Sequence, residues 1–206
     1  MPFFGLIPYN IEKLKAKRDI KGLVKALNYQ QDIMIRKQAA VALGEIGSAQ
    51  AVQPLIEVFN QFGLDFQVRM AVLAALVKID GFLIVDFLIS VIRSPRSVQF
   101  KLVAIEALGR IGDRRAVFPL IDLALKDPDK DVQNVALKTL ELKSLQPQDP
   151  YERSLYAKAI QNWMVVFPEG AYALGSLIGF LDTNSYRDST IIAERCEVTA
   201  EAALPQ

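Results

Sequence analysis

The 206-residue sequence contains no histidine, one cysteine and one tryptophan, and its charges nearly cancel. Without histidine the chain lacks the usual general base near neutral pH and the commonest metal ligand. Ser-His-Asp and Cys-His relays and imidazole-ligated metal sites are therefore excluded. Cys196 stands alone, which rules out an internal disulfide framework and fits a reducing compartment. The 24 basic and 23 acidic residues leave a net charge of +1, so no whole-molecule field draws the chain to nucleic acid or to an anionic membrane. No apolar run reaches the roughly eighteen residues of a membrane span; the longest, about 170–181, is too short. The opening "MPFFGLIPYN" lacks the basic n-region and long apolar stretch of a secretory signal. The expectation is a cytoplasmic, non-catalytic protein without cofactor, metal or membrane insertion.

What the chain has is a repeat. "RKQAAVALGEIG" at 36–47 returns as "KLVAIEALGRIG" at 101–112. Leu43, Leu76, Leu108 and Leu140 recur at spacings of 33, 32 and 32, and Leu23, Leu55, Leu88 and Leu120 at 32, 33 and 32. One extra residue in the turn around "NQFGL" accounts for both series. Two independent anchors agreeing on one insertion establish a true period. Each unit reads as two helices with apolar residues at helical spacing, the second opening at Asp32, Asp65, Ser97 or Asp129. These four are good N-cap residues. Alanines such as Ala39, Ala40 and Ala104 permit close helix approach, and Gly47 and Gly112 stand where a helix end favours a left-handed residue. One such pair cannot bury its apolar face, so stacking is required and the expected product is an all-α solenoid.

"IRKQAAVALGEIGSAQAVQPLIEVF" and "FKLVAIEALGRIGDRRAVFPLIDLAL" resemble HEAT repeats of the short type found in phycobilin-lyase-like proteins. The resemblance covers about residues 11–145, with the second and fourth units diverging. It implies a right-handed superhelix with the second helices lining a concave face. The implied organisation is four repeats with an N-terminal cap over 1–145 (17–48, 49–81, 82–113 and 114–145), a degenerate capping pair over 146–181, and an acidic tail over 182–206. The degenerate pair follows the "QPQDP" break.

On the concave face so implied, the outward positions carry Ile33, Met34, Lys37 and Val41 from the first repeat. Phe66, Met70 and Ala74 come from the second, and Val98, Leu102 and Glu106 from the third. Ile33, Phe66, Met70, Val98 and Leu102 are apolar where a solvent-facing helix is normally polar. Either they form a groove for a protein partner, or they pack between neighbouring second helices or beneath the tail.

Arg36, Arg69 and Lys101 share one repeat position, completed by Gln133. They read either as a ladder along a phosphate backbone or as partners of turn carboxylates such as Asp65 and Asp129. The gap at Gln133 and the neutral net charge favour the second and argue against nucleic acid. Residues 11–37 hold eight basic and three acidic residues, an anion-binding patch or a solvated cap face. Trp163 and Tyr172 could stack on a chromophore or fill the end of the core, and Cys196 has no nearby basic cluster to activate it. "GAYALGSLIG" lacks the lysine-hydroxyl pair and preceding strand of a phosphate loop. The leading expectation is an interaction scaffold gripping a protein segment. The alternatives are a phycobilin-lyase-like role handling a tetrapyrrole and its protein, or a structural subunit of a larger assembly.

Overall fold

The computed structural model describes residues 9–61, 63–79, 81–95, 97–142 and 144–166, with side chains as far as Asn162. The chain divides into two compact units, Met1–Ala107 and Leu108–Gln206. The first holds α1 (Ile11–Ala16), α2 (Ile20–Leu27), α3 (Ile33–Ile46), α4 (Val52–Asn60), α5 (Phe66–Lys78), α6 (Val85–Arg93) and most of α7 (Val98–Ile111). The second holds α8 (Val117–Lys126), α9 (Lys130–Leu140) and α10 (Pro150–Val166). Short 3-10 turns at Ala49–Ala51, Gly81–Ile84 and Arg114–Ala116 lead into α4, α6 and α8. No strand occurs among the described residues, and the fold is all-α.

Local chemistry sets the helix ends. The Asp32 carboxylate accepts from the amides of Met34 (2.7 Å) and Ile35 (3.2 Å). Asp65 accepts from Gln67 and Val68, and Asp129 from Asp131 and Val132, in the same pattern. Each thereby satisfies two amides that a first helical turn leaves free. At the other end Gly47 and Gly112 adopt φ of 67° and 69° and close α3 and α7 by donating to Leu43 and Leu108. Only glycine enters this left-handed region without steric cost.

The eight repeating leucines are all 0% exposed, which makes them the floor of the core in both units. In the first unit Phe59 meets Phe87 and Phe100 edge-on, at 5.1 and 5.6 Å between ring centroids. In the second, α10 packs on α8 and α9 through Tyr156, Ala159 and Ile160. The second helix expected of the closing pair, the tail, the Trp163 side chain, Tyr172 and Cys196 lie outside the described residues.

Tyr156 is buried, yet its hydroxyl has no hydrogen-bond partner among the described residues. Burial, aided by the nearby Glu141 charge, pushes the phenol far above its ordinary pKa. An orphaned hydroxyl carries a desolvation cost with no bond to offset it. Tyr156→Phe is therefore expected to leave stability unchanged or raise it by up to about 1 kcal/mol, read by urea unfolding. A loss of that size would show instead that the hydroxyl is bonded.

Candidate protein-interaction surface

Because α3, α5 and α7 begin at equivalent cap positions, equivalent side chains emerge from the same helical turn. Ile33, Phe66 and Val98 occupy one such row; Lys37, Met70 and Leu102 the next; Val41, Ala74 and Glu106 the third. Ile33 and Phe66 are each 48% exposed, Met34 56% and Val41 44%. Ala74 and Glu106 are exposed as well, while Lys37, Met70, Val98 and Leu102 are half-buried. The two readings of these residues thus divide by position. Ile33, Met34, Val41 and Phe66 meet solvent, whereas Met70, Val98 and Leu102 also contribute to helix packing.

Specific contacts join the rows. Lys37 Nζ donates to Gln67 Oε1 at 2.8 Å, bridging α3 to α5. The Phe66 ring lies 5.1 Å from that of Phe100, bridging α5 to α7. In α9 the three equivalent positions are Lys130, Asn134 and Lys138, so the apolar character stops with the third repeat.

A groove of about 570 Å³ opens between α1 and α3. Tyr9, Ile11, Met34, Val41 and Ala42 supply its apolar wall, and Lys37 lines it too. Lys15 and Glu45 form an ion pair at its edge. The hydrogen bond and charge of each hold the Lys15 ammonium above and the Glu45 carboxyl below their ordinary pKa values. Three of the residues expected on one face, Met34, Lys37 and Val41, therefore come together here. The contribution of α1 was missed in the sequence; its signal was Ile11 and Leu14, apolar at helical spacing within a basic stretch.

The basic ladder has a different task from either expectation. Arg36 Nε donates to the Leu27 carbonyl at 2.9 Å, and its terminal nitrogens reach the side-chain oxygens of Gln30 and Gln61 at 3.3 Å each. Arg69 donates to the carbonyls of Phe59 (3.0 Å) and Gln61 (2.7 Å), and Gln133 to that of Asp127 (2.7 Å). These side chains close the C-terminal carbonyls of the preceding helix within their own repeat. The carboxylates of Asp65 and Asp129 are occupied as caps; Asp65 acts on Arg36 through its field alone, opposing the lowering of the guanidinium pKa by burial. A neutral glutamine can fill the fourth position because the acceptor is a carbonyl. With Arg36 and Lys101 buried, the row offers no continuous track for phosphates.

Capped helix pairs at a period of 32 or 33 residues, each with its repeating leucines buried, define an α-helical repeat protein. Residues 85–154 match the family of HEAT repeats, and residues 35–61 match the PBS lyase HEAT-like repeat. These two matches support a HEAT-repeat protein of the phycobilin-lyase-like type. No curated protein matches it. HEAT repeats are generally protein-interaction scaffolds, and no helix among the described residues is long and apolar enough to cross a membrane.

Proposed function

We propose that the protein is a non-catalytic scaffold that grips a segment of a protein partner on the apolar face of α3, α5 and α7. The observation that carries this reading is the exposure of Ile33, Met34, Val41 and Phe66 on successive second helices. Large apolar groups gathered in one patch mark interaction surfaces more often than single scattered ones do. The return to Lys130, Asn134 and Lys138 in the fourth repeat supports a footprint of three repeats. Methionine and phenylalanine suit it, since both shape themselves to an apolar partner.

The test is a Met34→Ser, Phe66→Ser double variant. Each substitution is expected to cost no more than about 1 kcal/mol of stability, because each side chain is already half in water. Partner capture from the native host should fall to background with the fold intact. A large drop in melting temperature would assign these residues to the core and defeat the reading.

A second reading draws on the PBS lyase HEAT-like match over 35–61, which spans much of the α3 side of the groove. On it, the chain handles a tetrapyrrole with its protein. Adding a bilin and recording the visible spectrum separates the two, because a shifted band is expected of the second alone.

A further inference from the structure

The groove between α1 and α3 follows α3 for three turns, from Met34 to Glu45, a length of about 16 Å at the rise of an α-helix. Its charges are unevenly answered along that length. On the α1 side Lys15 pairs with Glu45 and also feels the field of Glu12, while Lys78 adds its own field at Glu45. Lys37 differs. Its ammonium is half-buried, and its hydrogen bond, 2.8 Å to the Gln67 side-chain oxygen, goes to a neutral group. No carboxylate pairs with it among the described residues. A cation drawn partly out of water and given only a neutral acceptor favours an anion brought to it. The bridge to Gln67 holds the ammonium in place before a partner arrives.

Met34 stands one turn before Lys37 and Val41 one turn after it, and they are 56% and 44% exposed. Along α3 the groove therefore offers apolar, cationic and apolar positions at i, i+3 and i+7. Met34 and Val41 are about 10 Å apart along the helix axis. A helix laid along the groove returns to the same face after that distance, at its own i+7. A strand covers it in three residues and ends on its opposite face. The spacing thus selects a helix over an extended segment.

We propose, on the reading that this face grips a protein segment, that the segment is an amphipathic helix carrying a single carboxylate between two apolar anchors seven residues apart. The carboxylate pairs with Lys37, and the anchors lie on Met34 and Val41. A run of acids would not serve, because Glu12 and Glu45 repel further carboxylates from the α1 side.

Fluorescence anisotropy with the full chain tests this, using three labelled helical peptides of about eighteen residues. They share one leucine stripe and differ at a single position between two leucines, which carries Glu, Gln or Lys. The Glu peptide is expected to bind about tenfold more tightly than the Gln peptide, and the Lys peptide most weakly. Lys37→Arg should keep that preference, Lys37→Gln should abolish it, and Lys37→Glu should turn it toward the Lys peptide. The Lys37 side chain is half in water, and circular dichroism checks that each variant keeps its helices. Equal binding of the Glu and Gln peptides to the unmodified chain would overturn the proposal. So would a preference that survives Lys37→Gln, or failure of all three peptides to bind. The scaffold reading is decided by a different result, partner capture by the Met34→Ser, Phe66→Ser variant. Loss of the charge preference alone therefore removes the acidic helix and leaves the scaffold.

Discussion

Gly44→Val is expected to destabilise the protein by about 3 kcal/mol, the upper end for overpacking, lowering the melting temperature by roughly 10 °C. A methyl carbon at Gly44 would lie 2.8 Å from the Ala75 Cα and 3.2 Å from its carbonyl oxygen. Those are backbone atoms, so α3 and α5 must separate to make room, and the packing on both sides opens with them. Gly109 provides the control. There the added carbon meets the ends of the Thr139 and Leu142 side chains, at 2.9 and 3.3 Å, which yield more readily than backbone. Gly109→Val should cost only about 1 kcal/mol. Equal losses at the two sites, measured by urea unfolding, would refute the backbone-contact account. Gly47 separates a third effect, since a side chain there meets nothing within 4 Å but must adopt φ of 67°. Gly47→Ala should therefore cost about 1 to 2 kcal/mol from the backbone alone.

Arg36→Met should be comparably damaging, at about 3 kcal/mol. The apolar stem is kept, so lost volume is not the cause. The Leu27 carbonyl, at the end of α2, loses its charge-assisted donor in a buried place where water cannot replace it. Gln30 and Gln61 lose theirs at the same time. Because Gln61 also donates to Asn28 and its carbonyl accepts from Arg69, the damage should extend from the first repeat into the second. Arg36→Lys retains the charge but not the planar fork, and about half the loss is expected. Hydrogen exchange offers the finer check: in Arg36→Met, amides of α2 and α4 should lose protection before those of α8 and α9. Uniform loss along the chain would count against a local cap.

The two variants probe features that differ in how plainly they were written in the sequence. The period, the helix pairs, the aspartate caps and the glycine stops were legible because each depends on residues within a few turns of one another. A leucine recurring every 32 or 33 residues needs no partner to be seen. By the same local logic Gly47 and Gly112 were recognisable as left-handed stops, since the cost of positive φ belongs to the residue itself.

Gly44 and Arg36 were not legible in that way. "ALG" displays its glycine, but the reason for it is the Ala75 backbone, thirty-one residues away in sequence. The row of Arg36, Arg69 and Gln133 suggested charge pairing, and the carboxylates it pointed to proved to be occupied by amides of their own helices. Only the packing of one helix end beneath the next showed that carbonyls are the acceptors. The face proposed for a partner divides likewise. Its membership, from Ile33 to Glu106, followed from register; the exposure of Ile33, Met34, Val41 and Phe66, against the half-burial of Met70 and Leu102, depended on how closely neighbouring helices sit. The sequence by itself determined which residues repeat, where helices start and stop, and which side of each is apolar, because these are short-range consequences of backbone geometry. The tertiary structure decided which of those apolar and basic groups are left facing water, because burial is a property of neighbours that the chain brings together only on folding.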